Sequence, residues 1–285
     1  MPKFSKIIIP NAITCLNLLS GAIAIVLAIQ GDIRSAGILI LIASVFDFFD
    51  GFVARKIGAM SEFGKQMDSL ADVISFGMAP TAIMYESLRF AAKVYGNYFQ
   101  QSFLNIIILG TAFLIIIFSA LRLAKFNIST DQKFSFVGLP TPAFAILVAS
   151  FPLISTLEPD SFVWFNVLSY FTGAEFPFKA TMGLLGFQIM VIERLYFLIP
   201  VTIIFSWLLV SKIHMFSLKF QTYKFKDNTL RYRFLIASLV LIIFLQSLAV
   251  PIIIFTYVII SASTSRASRY RYLKAKRNMD NFIKN

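Results

Sequence analysis

The 285-residue chain is 58% hydrophobic with a mean hydropathy of +0.78, well above the roughly half-apolar composition of soluble domains. This composition excludes a soluble globular protein and predicts an integral membrane protein. The net charge is +12, but no soluble region exists to present it, so we expect no nucleic-acid partner. The only cysteine, Cys15, excludes an intramolecular disulfide, and the only histidine, His214, excludes mechanisms that need two.

The apolar segments follow one another along the whole chain. A helix needs about 20 apolar residues to cross the hydrocarbon core. Eight segments meet or nearly meet this length, at 11–30, 35–56, 69–90, 102–124, 138–156, 195–211, 233–248 and 250–264. They predict an all-α integral membrane fold of about eight transmembrane helices.

The last two segments come from one apolar run, in which Pro251 favours a hairpin over one long helix. The stretch 157–194 contains several Pro and Gly residues and predicts a long loop with an interfacial or re-entrant piece. We expect one membrane domain over 1–285, with a catalytic signature at 47–72, a C-terminal helical extension at about 212–264 and a basic cytoplasmic tail at 265–285.

The distribution of positive charge predicts the orientation. If eight helices alternate from a cytoplasmic N-terminus, most of the 26 Lys and Arg residues fall on the cytoplasmic side. An odd number of helices would instead place the basic tail outside. We therefore expect a multi-pass protein with both termini in the cytoplasm.

Four aspartates interrupt the second and third apolar segments. Asp47 and Asp50 end the second segment in VFDFFDGFVAR, and Asp68 and Asp72 open the third in GKQMDSLADVISFG. Spacings of three and four residues place each pair on one helix face, and the short connection makes the two helices antiparallel neighbours. An acidic residue inside such a helix costs roughly 2.5–3.5 kcal/mol. Hard divalent cations would stabilise four converging carboxylates, so the pattern predicts a metal site.

The residues around these aspartates suit a phosphate-bearing ligand. Gly51 and Ala54 form a small face that permits close approach of a ligand or a neighbouring helix, and Gly64 gives the third segment similar access. Arg55 follows directly and can form a charge-assisted hydrogen bond with phosphate. The pattern indicates a nucleotide-diphosphate ligand beside the metal.

These residues resemble the complete signature of the CDP-alcohol phosphatidyltransferase family, in the spacing Asp47-x2-Asp50-Gly51-x2-Ala54-Arg55-x8-Gly64-x3-Asp68-x3-Asp72. The resemblance implies a membrane-embedded helical fold with a six-helix core, often a homodimer, and a site open to the cytoplasm. It implies that the four aspartates bind one or two Mg²⁺ or Mn²⁺ ions and that Asp72 is also the catalytic base. It further implies a set of CDP-diacylglycerol-binding residues, namely Asn11, Thr14, Gly51, Ala54, Arg55, Ser61 and Gly64.

Three further stretches, 68–80, 120–127 and 136–143, resemble the phosphatidylserine synthases of this family. The implied reaction transfers the phosphatidyl group from CDP-diacylglycerol to L-serine and releases CMP. A serine site needs a cation for the carboxylate, and we expect acceptor-binding roles for Ser75, Arg122 and Asn127. Arg122 and Asn127 also fit ordinary flanking residues of a cytoplasmic helix end. Another alcohol, such as glycerol 3-phosphate or an inositol compound, stays open as the acceptor.

A multi-span transporter is the main alternative without catalysis, because acidic residues within membranes also mark ion pathways. It predicts inverted repeats with acids in corresponding halves, whereas these aspartates cluster once. Membrane prenyltransferases also bind metal and diphosphate through aspartates, but their motifs lie far apart in sequence. Metal-dependent release of CMP distinguishes the transferase from these alternatives.

Overall fold

The computed structural model describes residues 3–96, 100–128, 136–155, 194–215 and 228–264. All eight predicted segments coincide with helical stretches, which confirms the all-α fold class. The predicted loop at 157–194, apart from Arg194, and the basic tail at 265–285 lie outside the described residues. The helices are α1 Lys3–Ile29, α2 Ile33–Lys56, α3 Glu62–Asp72, α4 Ala79–Ala91, α5 Phe103–Gly110, α6 Leu114–Ile128, α7 Thr141–Ser155, α8 Leu195–Val210, α9 Thr229–Leu245 and α10 249–264.

Several of these helices are long and apolar enough to cross a membrane. By length and composition, the stretches that qualify are Ile8–Ile29, Ile33–Lys56, Phe103–Ile128 and Thr229–Thr264, and α7 and α8 are shorter apolar helices. Many large apolar side chains on these stretches face outward, as expected where lipid is the solvent. The chain is therefore a multi-pass membrane protein.

Helix α1 begins earlier than the sequence predicted. It starts at Lys3 and continues through Pro10, whereas we expected the first segment to start at residue 11. A proline removes only one backbone donor from a helix, so it does not by itself set the first residue. A tight turn then leads into α2, where Asp32 caps the helix by accepting a hydrogen bond from the backbone N–H of Ser35 at 3.1 Å. The hydrogen bonds from Ser35 hold the pKa of Asp32 below its usual value.

Glycines allow the helices around the aspartates to approach closely. A Cβ on Gly21 of α1 would lie 2.6 Å from Cα of Ser75, in a single π-helical turn, Val73–Met78, that joins α3 to α4. A Cβ on Gly37 of α2 would lie 2.7 Å from the carbonyl oxygen of Ala149 in α7. Helix α1 thus packs directly on the turn after Asp72, and α2 packs directly on α7.

The last apolar run forms a hairpin, but its turn is not at Pro251. The helix breaks at Gln246, where φ is +50°, and continues through a single 3-10 turn, Gln246–Leu248, into α10. The rings of Phe234 and Tyr257 lie 5.9 Å apart, so α9 and α10 fold back on each other. Pro251 lies in the first turn of α10, where its missing N–H would have no helical partner in any case. The predicted segments end at 248 and resume at 250, so the observed turn lies directly before the predicted break.

A short pair of strands was not predicted. The strand β1, Phe136–Val137, pairs antiparallel with β2, His214–Met215. The N–H of Leu139 also donates to the carbonyl of Leu208 at 3.0 Å, so the C-terminal end of α8 lies beside the N-terminal end of α7. Segments of two residues carry no alternating pattern that a sequence could reveal.

Candidate active site

Three of the four predicted aspartates converge between α2 and α3. Asp47, Asp50 and Asp68 each offer a carboxylate oxygen, and these oxygens lie within 4.8 Å of one another. Asp50 is buried, and the other two are half-buried. The helices bring them together because α2 and α3 are antiparallel and each pair occupies one helix face. Such a group of oxygen ligands can hold a metal ion.

The fourth aspartate, Asp72, lies one turn deeper along α3. Its carboxyl group interacts with that of Asp47, and only 9% of its surface is exposed. One oxygen each of Asp68 and Asp72 is buried without a hydrogen-bond partner among the described residues. Buried carboxylates this close repel one another, so positive charge is needed to keep them ionised. The donor set therefore fits a divalent metal, which prefers carboxylate oxygen.

Thr14 of α1 orients one of these aspartates. Its hydroxyl lies 2.7 Å from Oδ2 of Asp50 and 3.1 Å from the carbonyl of Pro10. The shorter contact joins helix α1 to the acidic cluster. Partners of this kind fix the orientation of a metal-binding carboxylate. The sequence predicted Thr14 as a contact of the nucleotide and did not reveal this hydrogen bond.

A cavity of about 190 Å³ opens beside the acidic cluster. Asp50 and Asp68 form part of its wall. All seven residues predicted to bind CDP-diacylglycerol line it, namely Asn11, Thr14, Gly51, Ala54, Arg55, Ser61 and Gly64. Sequence reasoning missed Pro10, Ala59, Met60 and Lys65, which also line it. The sequence offered one indication that Lys65 lines the cavity, namely its position between the two halves of the motif.

The N-terminal end of α3 forms one side of this cavity. Ser61 caps the helix by accepting a hydrogen bond from the N–H of Gly64 at 3.0 Å. A Cβ on Gly64 would lie 3.1 Å from Oδ1 of Asn11, so a side chain here would press on the cavity wall. The exposed cations Arg55 and Lys65 stand at the same cavity. A helix N-terminus with two cations favours an anion such as phosphate.

The residues predicted to bind the acceptor lie on two sides of Asp72. Arg122 of α6 is buried, donates from Nη1 to Oγ1 of Thr141 at 3.2 Å, and interacts electrostatically with Asp72. Its Nε has no partner among the described residues.

The other two predicted acceptor residues bond to the protein. Nδ2 of Asn127 donates to the hydroxyl of Ser69 at 2.9 Å. The Ser75 hydroxyl donates to the carbonyl of Asn17 at 2.9 Å. Of the three, Arg122 thus keeps a donor available near the carboxylate at the end of the cluster.

The family model for CDP-alcohol phosphatidyltransferases matches residues 7–212. The chain belongs to this family. The match includes the four aspartates, the cavity and helices α1 to α8, and it ends before the α9–α10 hairpin. The family uses divalent metals, in agreement with the oxygen-rich cluster of Asp47, Asp50 and Asp68.

Curated relatives are similar over about half of the chain. The archaetidylserine synthase of Methanothermobacter thermautotrophicus is 42% identical over 151 residues, 52% of this chain and 59% of that protein. The CDP-diacylglycerol–serine O-phosphatidyltransferase of Methanocaldococcus jannaschii is 37% identical over 152 residues, 53% of this chain and 64% of that protein. The protein of the same name in Bacillus subtilis is 34% identical over 145 residues, 50% of this chain and 75% of that protein. The chain thus covers less than two thirds of the length of the first two relatives.

Proposed function

We propose that this member of the family transfers a phosphatidyl group from CDP-diacylglycerol to L-serine, giving phosphatidylserine and CMP. The observation that carries the proposal is the acidic cluster, which lies between a cavity lined by Arg55 and Lys65 and the buried cation Arg122. The cavity suits the nucleotide diphosphate, and the cation suits an acceptor with a carboxylate. The names of the three relatives share serine as the acceptor and so favour it.

The CDP-lipid would bind in the cavity between α1, α2 and α3. Arg55, Lys65 and the N-terminal end of α3 would bind its phosphates. Asn11 offers an amide to the cytosine base, and Gly51 and Gly64 leave room for the diphosphate between the helices. The acyl chains would then extend into the bilayer beside the exposed apolar faces.

The aspartates would hold one or two Mg²⁺ or Mn²⁺ ions. When bound, these ions offset the negative charge that develops on the leaving CMP. Asp47, Asp50 and Asp68 supply the oxygens closest to one another, and Asp72 completes the set from the deeper turn. Thr14 keeps Asp50 oriented through its hydroxyl.

Asp72 would act as the general base. The acceptor hydroxyl oxygen forms a bond to the lipid-bearing phosphorus as its proton passes to Asp72, and the bond from that phosphorus to CMP breaks. The position at the end of the cluster suits this role, because one Asp72 oxygen is buried without a partner in the described part of the chain. No covalent enzyme intermediate is needed.

Arg122 would bind the serine carboxylate. A guanidinium matches a carboxylate in shape and charge, and burial strengthens the interaction. Thr141 holds Arg122 through one hydrogen bond, which leaves Nε for the ligand. Asn127 and Ser75 would act by fixing the helices that surround the acceptor.

The names of the relatives agree in serine but differ in the lipid, so an archaeol-based CDP-lipid is the competing lipid substrate. Glycerol 3-phosphate or an inositol compound is the competing acceptor. A transporter would bind metal without releasing CMP. These alternatives are distinguished by one assay.

Purified protein in detergent is given CDP-diacylglycerol, Mg²⁺ or Mn²⁺, and serine, glycerol 3-phosphate or inositol. We expect CMP and phosphatidylserine with serine, and little CMP with the other alcohols. A parallel reaction with CDP-archaeol tests the lipid. CMP release with glycerol 3-phosphate and not with serine would overturn the acceptor, and no CMP with any acceptor would overturn the transfer.

The remaining proposals concern the whole protein. We propose that the active site faces the cytoplasm, with both termini on that side, since eight alternating helices would then place most of the Lys and Arg residues in the cytoplasm. We propose one membrane domain over 1–285 that assembles as a homodimer, as the family resemblance implies. The molar mass of the protein in detergent, corrected for bound detergent by light scattering, tests the dimer.

A further inference from the structure

The side chain of Asn17 in α1 is completely buried, and neither its Oδ1 nor its Nδ2 has a hydrogen-bond partner among the described residues. A buried amide loses its hydrogen bonds to water and regains none, so it destabilises the free protein. Native structures contain few such groups, and each calls for an explanation. A ligand that bonds to the amide would provide one.

Helix periodicity places Asn17 on the face of α1 that meets the acidic cluster. It lies three residues after Thr14 and four before Gly21, so it shares their face of α1. Thr14 bonds to Asp50 of the antiparallel helix α2. Asn17 lies about one turn after Thr14 in α1, and Asp47 lies about one turn before Asp50 in α2. Because the two helices are antiparallel, Asn17 and Asp47 lie at the same depth.

A contact of the π-helical turn after α3 places Asn17 at the same depth. The carbonyl of Asn17 accepts a hydrogen bond from Ser75, and Ser75 lies one turn beyond Asp72. Asn11, six residues before Asn17, lies near Gly64 in the cavity. Helix α1 therefore carries a polar row that begins at the nucleotide cavity and ends with Asn17 beside the deep end of the cluster.

The deep end of the cluster is where the acceptor hydroxyl must approach Asp72. One oxygen of Asp72 and both polar atoms of Asn17 are buried there and have no partner among the residues that the structure describes, so the missing ligand needs hydrogen-bond donors and acceptors together. Arg122, which lies near Asp72, favours a ligand that carries a carboxylate. A small amino acid with a hydroxyl group meets all three requirements.

We propose that Asn17 is a specificity-determining residue of the acceptor site, where its Oδ1 accepts a hydrogen bond from the ammonium group of serine. Its Nδ2 donates to an oxygen of the same molecule, while Arg122 binds the carboxylate. Glycerol 3-phosphate and inositol lack the ammonium group, so Asn17 discriminates against them. This inference rests on the proposed function.

The test compares Asn17→Leu with wild type. Leucine has a similar volume and no polar atoms, so the ligand-free variant should unfold at the same temperature or higher, because an unsatisfied amide has been removed. The KM for serine should rise by about tenfold or more, the change expected for a lost hydrogen bond to a charged group. The KM for CDP-diacylglycerol should stay within about twofold.

Ser20→Ala is the matched control. Ser20 is also buried on α1, but its hydroxyl donates to the carbonyl of Leu16 in the same helix at 2.8 Å. This variant should keep both KM values. A second readout without turnover is the rise in unfolding temperature that serine causes in protein loaded with Mn²⁺ and CMP, which Asn17→Leu should lose.

An unchanged KM for serine in Asn17→Leu would overturn the inference, as would a lower unfolding temperature with equal losses for both substrates, which indicates a structural role. Failure of the proposed function looks different, because wild type itself would then release no CMP with serine.

Discussion

The four aspartates have different surroundings, and these set their expected roles. Asp50 is fixed by the hydroxyl of Thr14 and faces the nucleotide cavity. Asp72 is buried at the other end of the cluster, beside Asp47 and near Arg122. A carboxylate held by a neutral hydroxyl suits metal binding, and a deeply buried carboxylate with a free oxygen suits proton transfer.

Replacement of Asp72 by Asn should therefore affect turnover more than binding. We expect kcat to fall by about 10²–10⁴-fold, the usual contribution of a general base, with the Kd for CDP-diacylglycerol nearly unchanged. Rates of CMP release and equilibrium binding of the lipid measure the two effects. Asp32→Asn is the control, because Asp32 is an exposed cap at the opposite end of α2. Turnover like that of wild type in Asp72→Asn would remove Asp72 from the base role.

Replacement of Thr14 by Val should weaken metal binding. Valine keeps the shape but removes the hydrogen bond to Asp50, and loss of such a partner typically lowers metal affinity by about 10–100-fold. The Mn²⁺ concentration that gives half-maximal activity measures the effect. Thr111→Val is the control, since Thr111 bonds only to the carbonyl of Ile108 among the described contacts. An equal Mn²⁺ requirement in both variants would contradict the role of Thr14.

Sequence reasoning could locate the aspartates because their spacing is local. Residues three and four apart on a helix must share a face, whatever the rest of the chain does. The Thr14–Asp50 hydrogen bond and the burial of Asn17 depend on how α1 docks against two other helices, and no spacing encodes that. Ser61 shows a third case, in which a residue predicted to contact phosphate also caps α3.

At the scale of the elements, close helix packing positions the deep end of the site. The π-helical turn at Val73–Met78 follows Asp72 directly, and such turns often occur at functional sites. The turn is packed more tightly against α1 than against α6. Gly21 allows α1 to touch Ser75, whereas a Cβ added to Gly77 would lie at ordinary van der Waals distance from Ser119 of α6.

Alanine at these two glycine positions should therefore have unequal effects. In Gly21→Ala the new Cβ would overlap the backbone of Ser75, and overpacking of this kind costs about 1–3 kcal/mol. In Gly77→Ala the new Cβ would lie 3.5 Å from the nearest atom, so stability should change little. Thermal unfolding in one detergent measures both variants. Equal stability of the two would contradict the close contact between α1 and the turn.

The α9–α10 hairpin shows what the sequence could reveal about an element. The apolar run was long enough for two arms, and Pro251 marked a break somewhere near its middle. The turn is set instead by Gln246 in a left-handed conformation, and Ser247 donates to the carbonyl of Leu153 in α7. Because this contact joins residues 94 positions apart, local preference indicates the approximate break but not the residue at which the chain turns.

At the scale of the whole molecule, the loops at the two ends of the bundle should lie on opposite sides of the membrane. The charge distribution predicts that the α1–α2 turn faces outward and that the α2–α3 connection faces the cytoplasm. In a Cys15→Ser background, an impermeant maleimide should label Asp32→Cys in intact cells. Met60→Cys, at an exposed position, should be labelled only after permeabilisation. The reverse pattern would place the active site outside.

Binding of the divalent metal that CDP-lipid cleavage requires is the proposed role of Asp47, Asp50, Asp68 and Asp72. Electron paramagnetic resonance of Mn²⁺ titrated into the purified protein with CMP present tests it most directly, with Asp47→Asn combined with Asp68→Asn as the variant and Asp32→Asn as the control. We expect one or two tightly bound Mn²⁺ ions per chain in wild type and control, and none in the double variant. Equal Mn²⁺ binding in the double variant, or none in wild type, would contradict it.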